Sequence, residues 1–309
     1  MKVGLSWDPS GAASAARAWG DIVDDMTRAD ALGFDSAWLA EGRTSASSCA
    51  QPSIFLAFAA RRTKSIHLRP LHRRALGEHP VRLAEEIALL DHFSHGRAGI
   101  AFAAASAQRT DVELVHETIE FVRTAWVTNE FRFRGNYFRF PEHMNATVSA
   151  GASFPAWQGH YVPQWKWGAA KSTADFLAVT PKPLAVHVPV YVAIDDDATL
   201  ECAARRGISP YVSVGSTTDE AKRRLAKYRS LADDAGRKSH EVDAVIERHV
   251  AIDGPTDSYT FGGSTHDIAC AIREFAAVTR VGHFVWRYRG HRPADMERFA
   301  NEVQVRLQA

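Results

Sequence analysis

The sequence predicts an α/β protein, a (β/α)8 TIM barrel with a long insertion between its fourth and fifth strands. Apolar strand-like runs alternate with amphipathic helical stretches almost throughout, which is the pattern of a parallel sheet with crossover helices. Eight strands with matching helices emerge from this reading, and a closed barrel is the economical arrangement for them. The length of 309 residues suits one domain spanning 1–309, because such barrels commonly run to about 250 residues or more.

Residues 2–7 read as the first strand. Trp19, Ile22, Val23, Met26 and Ala29 to Leu32 form an amphipathic helix that stops at Gly33. The second strand covers 34–40, a loop 41–51, a helix 52–61 and the third strand 65–71. Pro80 then opens a helix at a position where its missing N–H costs nothing. Leu83, Ile87 and Leu90, flanked by Ala84 and Ala88, give that helix an apolar face, and Ser94-His95-Gly96 stops it. Residues 98–103 are small and apolar without helical period, as in a buried strand. A helix follows over about 111–126.

The alternation then breaks. Residues 131–140 alternate on both sides of Gly135-Asn136, a hairpin pattern. From 141 to 189 there is no clear period, but there are Trp157, Trp165 and Trp167, so the insertion (about 128–189) reads as a lid or binding loop. Its tryptophans suit stacking on a flat ring or packing in a dimer interface. Strands return at 190–194, 210–214, 245–252 and 281–286, with helices ending at Gly207 and spanning 219–235, 265–278 and 294–307.

Composition narrows the function classes. The chain carries 37 basic and 36 acidic residues, so no general attraction to nucleic acid or to a membrane surface follows. Cys49, Cys202 and Cys270 are isolated and lack metal-ligand spacing, which points to a reducing cytoplasm. No apolar run approaches membrane length, and the N-terminus goes straight into the first strand without a signal-like stretch. His67, His72, His79, His92 and His95 cluster in sequence without a paired-ligand motif, so no metal site is expected.

The segment "HPVRLAEEIALLDHFSHGR" (79–97) resembles the stretch before the fourth strand of the bacterial luciferase-like superfamily, the flavin- and F420-dependent oxidoreductases built on a TIM barrel. "GFDSAWLAE" (33–41), "PVYVAI" (189–194) and "GGSTHDIACAIREFAAVTRVGHFVWR" (262–287) support the resemblance in the family's order. It implies a flavin-dependent monooxygenase acting on a small organic substrate, with reduced FMN delivered by a separate reductase. F420 is the variant cofactor, and dimers through the second and third helices are the expected assembly. The chain departs from the family where the cofactor is usually held. Gly42 and Arg43 stand where many relatives have a histidine after Glu41. The fourth strand ends in Ala103-Ala104-Ala105-Ser106 instead of an arginine or glycine-rich turn. Asp195-Asp196-Asp197 replaces the small or hydroxyl-bearing turn whose free N–H groups bind phosphate. A divergent member without the usual flavin site, either a flavin-free enzyme or a non-catalytic partner subunit, is therefore the alternative expectation.

Barrel sites lie at the C-terminal ends of the strands. That rule nominates Trp7 and Asp8, Glu41 to Arg43, residues 69–74, 104–109, 195–197 and 213–216, Asp253, and 286–291. Arg43 suits stabilisation of an anion, His72 is the best titratable group, and Glu41 stands beside Arg43. Trp7, Arg69, Ser106, Arg109 and Thr199 are the cofactor-binding candidates, with Gln108 near the phosphate. Arg69, His72, Arg73 and Arg74 read as a basic rim. The turn Gly262-Gly263-Ser264-Thr265 suits either an anion or an ordinary helix cap.

Overall fold

A computed structural model describes residues 1–11, 15–43, 45, 48–140, 177–289 and 292–308. The tryptophan-rich loop with Trp157, Trp165 and Trp167, and His291 near the end of the chain, lie outside the described residues.

The parallel barrel is present. Its strands are β1 (Lys2–Trp7), β2 (Ser36–Ala40), β3 (His67–Leu71), β4 (Arg73–Arg74), β5 (Ile100–Ala103), then, after the short antiparallel hairpin β6 (Phe133–Arg134) and β7 (Arg139–Phe140), β8 (Val190–Ala193), β9 (Ser209–Val212), β10 (Val245–Ile252), β11 (Thr260–Gly263) and β12 (His283–Arg287). Neighbours run β3-β2-β1-β12-β10-β9-β8-β5-β4, with β11 beside β10. One residue, His72, separates β3 from β4, so the two ends of this order are halves of a single bent strand and the sheet closes. That bend was not visible in the sequence. His72 sits at φ 56°, a left-handed conformation that few non-glycine residues adopt.

Helices α1 (Ala15–Ala31), α2 (Pro52–Ala60), α3 (Pro80–Ser94), α4 (Arg109–Val127), α5 (Asp197–Arg206), α6 (Thr218–Asp234) and α7 (Thr265–Thr279) connect the strands. The last helical stretch is broken: α8 (Pro293–Arg298) and α9 (Val305–Gln308) flank a π-helical turn over Phe299–Gln304. Helix α3 explains its own sequence. Pro80 is its first residue, Leu83, Ile87 and Leu90 are buried, and His95 in the left-handed conformation closes it. Asp91 within it and Arg97 just beyond its end fix the following strand. Asp91 accepts from Ala98 N (3.2 Å) and Ala185 N (2.8 Å), and Arg97 donates to the carbonyls of Ala60, Thr63, Ile66 and Ser94. These are backbone groups that would otherwise be buried without partners.

Period-two alternation splits the interior into two cores. Outward residues such as Val3, Leu5, Leu68, Ile100 and Phe284 pack under the helices. Inward residues form a separate column inside the barrel: Trp38, Ala40, Leu71, Ala101, Tyr191, Tyr211, Val245 and Val285. The register then fixes which neighbours also point inward: Ser6 lies beside Trp38 and Arg287, Arg69 beside Trp38, and Glu247 beside Val285. Among the described residues no helix is long and apolar enough to cross a membrane, and no group of three or more His, Cys, Asp or Glu residues is placed to hold a metal ion. The cysteines are free, Cys49 being buried.

Candidate active site

The inward column ends at the barrel mouth in a buried ionic network centred on Glu247. Its carboxylate accepts from Ser6 Oγ (2.5 Å) and Val214 N (3.1 Å), and pairs with Arg287 Nε at 2.7 Å. Arg287 also reaches Asp8 at 3.2 Å. Burial alone pushes the Glu247 carboxyl upward, but the Arg287 charge, aided by the Ser6 hydroxyl, outweighs it and holds the group at about 2. Arg287 loses some basicity to burial and regains more from Glu247, so both stay charged. His72 is the opposite case. Burial holds its imidazole below its ordinary value despite the attraction of Glu247, so it is neutral at neutral pH. Its ring meets Tyr211 edge-on at 5.9 Å, and neither His72 Nε2 nor the Tyr211 hydroxyl has a hydrogen-bond partner.

A second network sits behind the rim. Glu41 accepts from Arg73 Nη1 (2.9 Å), Arg43 Nε (3.1 Å) and Arg74 N (3.2 Å), while Arg43 also pairs with Glu78 at 2.9 Å. Arg73 lies within 3.5 Å of Glu86 and is fully buried. It is therefore no part of a basic rim; it locks the bend after β3 to the end of β2. The three catalytic candidates are thus divided: His72 belongs with Glu247, whereas Glu41 and Arg43 belong with Arg73. Arg43, half exposed, already carries two carboxylates.

The cofactor candidates are more scattered. Trp7 packs outward against Tyr288, in the layer beneath the helices, and it is Ser6 that faces the mouth. Arg69 points to the opposite end of the barrel, where it meets His283. Ser106 donates to Asp111 (2.5 Å) and Arg109 to Glu113 (2.5 Å), both on the exposed approach to α4. Thr199 is buried, and both its amide (2.8 Å) and its hydroxyl (2.7 Å) donate to Asp196, the N-cap of α5. Asp195 accepts from Ser213 Oγ at 2.6 Å and Asp197 pairs with Lys227 at 3.2 Å. Ser264 likewise caps α7 in a reciprocal pair with Asp267, so the glycine turn before it is an ordinary cap.

Sequence reasoning missed Ser6, Glu247 and Tyr211. Parity along β1 would have separated Ser6 from Trp7. Glu247 was hidden because β10 is longer than the barrel wall: residues 245–248 pair with β12, but 249–252 continue alongside β11. The rule of strand ends therefore pointed past Glu247 to Asp253, an exposed partner of Arg298.

The residues fit the two ends of a flavin unequally. The unpartnered buried atoms of His72 and Tyr211 suit a polar ring edge at the mouth. The N-terminus of α5 does not suit a phosphate, because Asp196 already occupies it and two more carboxylates surround it.

The luciferase-like monooxygenase family model matches residues 1–259. A curated relative, the uncharacterized protein y4wF of Sinorhizobium fredii (strain NBRC 101917 / NGR234), is 37% identical over 92 residues, 29% of this chain and 27% of that protein. Among solved structures, monooxygenase RslO1 from Streptomyces bottropensis superposes with a TM-score of 0.75 at 20% identity over 99% of both chains. The oxygenating constituent of 3,6-diketocamphane monooxygenase from Pseudomonas putida, in complex with FMN, gives 0.71 at 17% over 98% of both. An F420-dependent secondary alcohol dehydrogenase, with an F420-acetone adduct, gives 0.72 at 14% over 100% of both. With its barrel closed and most of its length matched, the chain belongs to the luciferase-like monooxygenase family.

Proposed function

We propose that this protein is a flavin-dependent monooxygenase that uses reduced FMN from a separate reductase, with O2, on a small organic substrate in the barrel mouth. The observation that carries the reading is the convergence of Glu247, Arg287 and an unpartnered His72 Nε2 on one inward face. Charged groups buried at that cost serve a binding or reacting partner better than they serve stability. When bound, the flavin would supply the two-electron chemistry with oxygen. The chain's own contribution is electrostatic and protic. The Glu247–Arg287 pair is a preorganised dipole that needs no reorientation during reaction. Neutral His72 offers Nε2 to accept, or Nε2–H to donate, one proton. Arg43 can take an anionic substrate group by exchanging it for Glu78 at the rim.

The α5 N-terminus shapes how FMN would bind. With Asp196 already on the Thr199 amide and hydroxyl and two further carboxylates beside it, the phosphate adds little to affinity there, so riboflavin and FMN are expected to bind similarly. The same closure favours the second reading, a member that has lost the flavin site. A visible spectrum of the purified protein, followed by titration with FMN, riboflavin and F420 in oxidised and reduced forms, separates them. Saturable flavin quenching that a His72→Ala substitution weakens supports the enzyme. A colourless protein that binds none of the three sinks it and turns the search to flavin-free chemistry or a partner subunit. F420 alone binding would select the hydride-transfer variant.

A homodimer through α2 and α3 belongs to the same proposal. Ile54 and Phe58 on α2, and Leu89 and Phe93 on α3, are exposed one helical turn apart on two helices that pack together. Light scattering of Phe58→Glu should report a monomer if these helices form the interface.

A further inference from the structure

We infer that the floor of the barrel, the end opposite the mouth, is a binding site for a small oxyanion such as inorganic phosphate, seated on Arg69. A cavity of about 280 Å³ opens there, with Lys2 and His67 at its exposed edge and Arg69, Tyr191 and His283 at its inner wall. Arg69 is only 3% exposed, and its guanidinium lies 4.7 Å from the Trp38 ring centre and 5.1 Å from that of Tyr191. Both rings offer their faces to the cation, which helps hold it inside without neutralising it.

The hydrogen bonding around Arg69 leaves its charge unanswered. His283 is fully buried, and burial and Arg69 together hold its imidazole well below the ordinary value, so it is neutral. Its Nδ1 faces Arg69 Nη1 at 3.4 Å and must be the acceptor, since a guanidinium only donates. The Nε2–H therefore donates to Ser36 Oγ at 2.8 Å, which also accepts from Trp38 Nε1 at 2.7 Å. Arg69 Nε has no hydrogen-bond partner, and the residue forms no ion pair among the described residues. The carboxylates bordering the cavity are engaged elsewhere. Asp35 accepts from Val3 N at 2.7 Å, while Asp243 accepts from the Tyr191 hydroxyl at 2.8 Å and pairs with Lys2 at 3.6 Å.

The backbone has been cleared to admit this arginine. A Cβ on Gly99 would stand 3.1 Å from Arg69 Nε, and one on Gly4 would run into the Ser36 hydroxyl that anchors His283. The contrast with Arg97 is direct, since Arg97 donates to four backbone carbonyls and a hydroxyl. A buried guanidinium with an unpartnered Nε–H and no carboxylate partner, lining an open cavity, matches an oxyanion in charge. Lys2 stands at the entrance as a further donor.

The test titrates the full chain with sodium phosphate at constant ionic strength, using chloride as the reference, and reads Tm. A saturable rise that Arg69→Gln abolishes, and that Lys2→Met weakens severalfold, is the expected result. No saturable rise in the wild type, or an equal rise in Arg69→Gln, overturns the site. If Arg69→Gln does not fold, crystals of the wild type soaked in selenate decide by anomalous scattering. A peak on Arg69 supports the assignment, and peaks elsewhere or none overturn it.

Discussion

The two ends of this barrel each hold a buried arginine among aromatic rings, and they treat it in opposite ways. At the mouth, Arg287 faces two carboxylates, Glu247 at 2.7 Å and Asp8 at 3.2 Å. At the floor, Arg69 faces two rings and a neutral histidine. A paired charge is fixed in place and shapes the field for something that arrives beside it. An unpaired one is itself the half of a contact that is still to be made. The pairing state of a buried arginine, more than its burial, thus separates a preorganised field from a docking point.

The largest expected effect breaks the mouth. Glu247→Ala leaves Arg287 with the more distant Asp8 alone, and stability should fall by about 3–5 kcal/mol in urea unfolding. A loss under about 1 kcal/mol would mean that water or Asp8 already compensates Arg287, and the contrast between the two ends would fail. Acid probes the same pair. The folded Glu247 carboxyl, at about 2, lies below its unfolded value of about 4.3. Its contribution is therefore complete above pH ~4.3 and is lost as pH falls toward 2, on the order of 3 kcal/mol in all. Denaturation midpoints followed from pH 6 to 2 in parent and Glu247→Gln should converge at the acid end.

The floor should respond more weakly and in the other direction. Arg69→Met removes a cation without stranding a carboxylate, so without added anion its stability should stay within about 1 kcal/mol of the parent or exceed it. A loss as large as that of Glu247→Ala would show Arg69 to be paired in solution. The smallest effect concerns the acids beside the mouth. Asp196→Ala removes the cap of α5 and should cost about 1 kcal/mol, while freeing amides that then favour FMN over riboflavin.

Much of the fold was legible because it rests on periodicity. Leu83, Ile87 and Leu90 announce α3, and the apolar runs announce the barrel strands, whose division into inward and outward sets came only with the structure. The site was harder to read for reasons that residues 69–74 illustrate. As a block they looked like one basic rim, yet Arg69 turns to the floor, His72 to the mouth and Arg73 to the helices. Three destinations in five residues require knowing where the strand bends, and a histidine at positive φ gives no sequence signal for that. The aspartates after β8 were the reverse case. Helix-capping chemistry is local, so their engagement with α5 and its surroundings was legible before any coordinates.

The bend at His72 also acts as a shift of reading frame. Leu71 and His72 both face the interior, and only after this double step does Arg73 turn outward to meet Glu41. A strand that ran through residue 72 without this bend would keep an unbroken alternation, turn His72 outward and deliver Arg73 into the lumen beside Glu247. It would also detach the end of β2 from its lock. The identity of the inward group at the mouth is therefore written in the phase of one strand as much as in the residue that stands there.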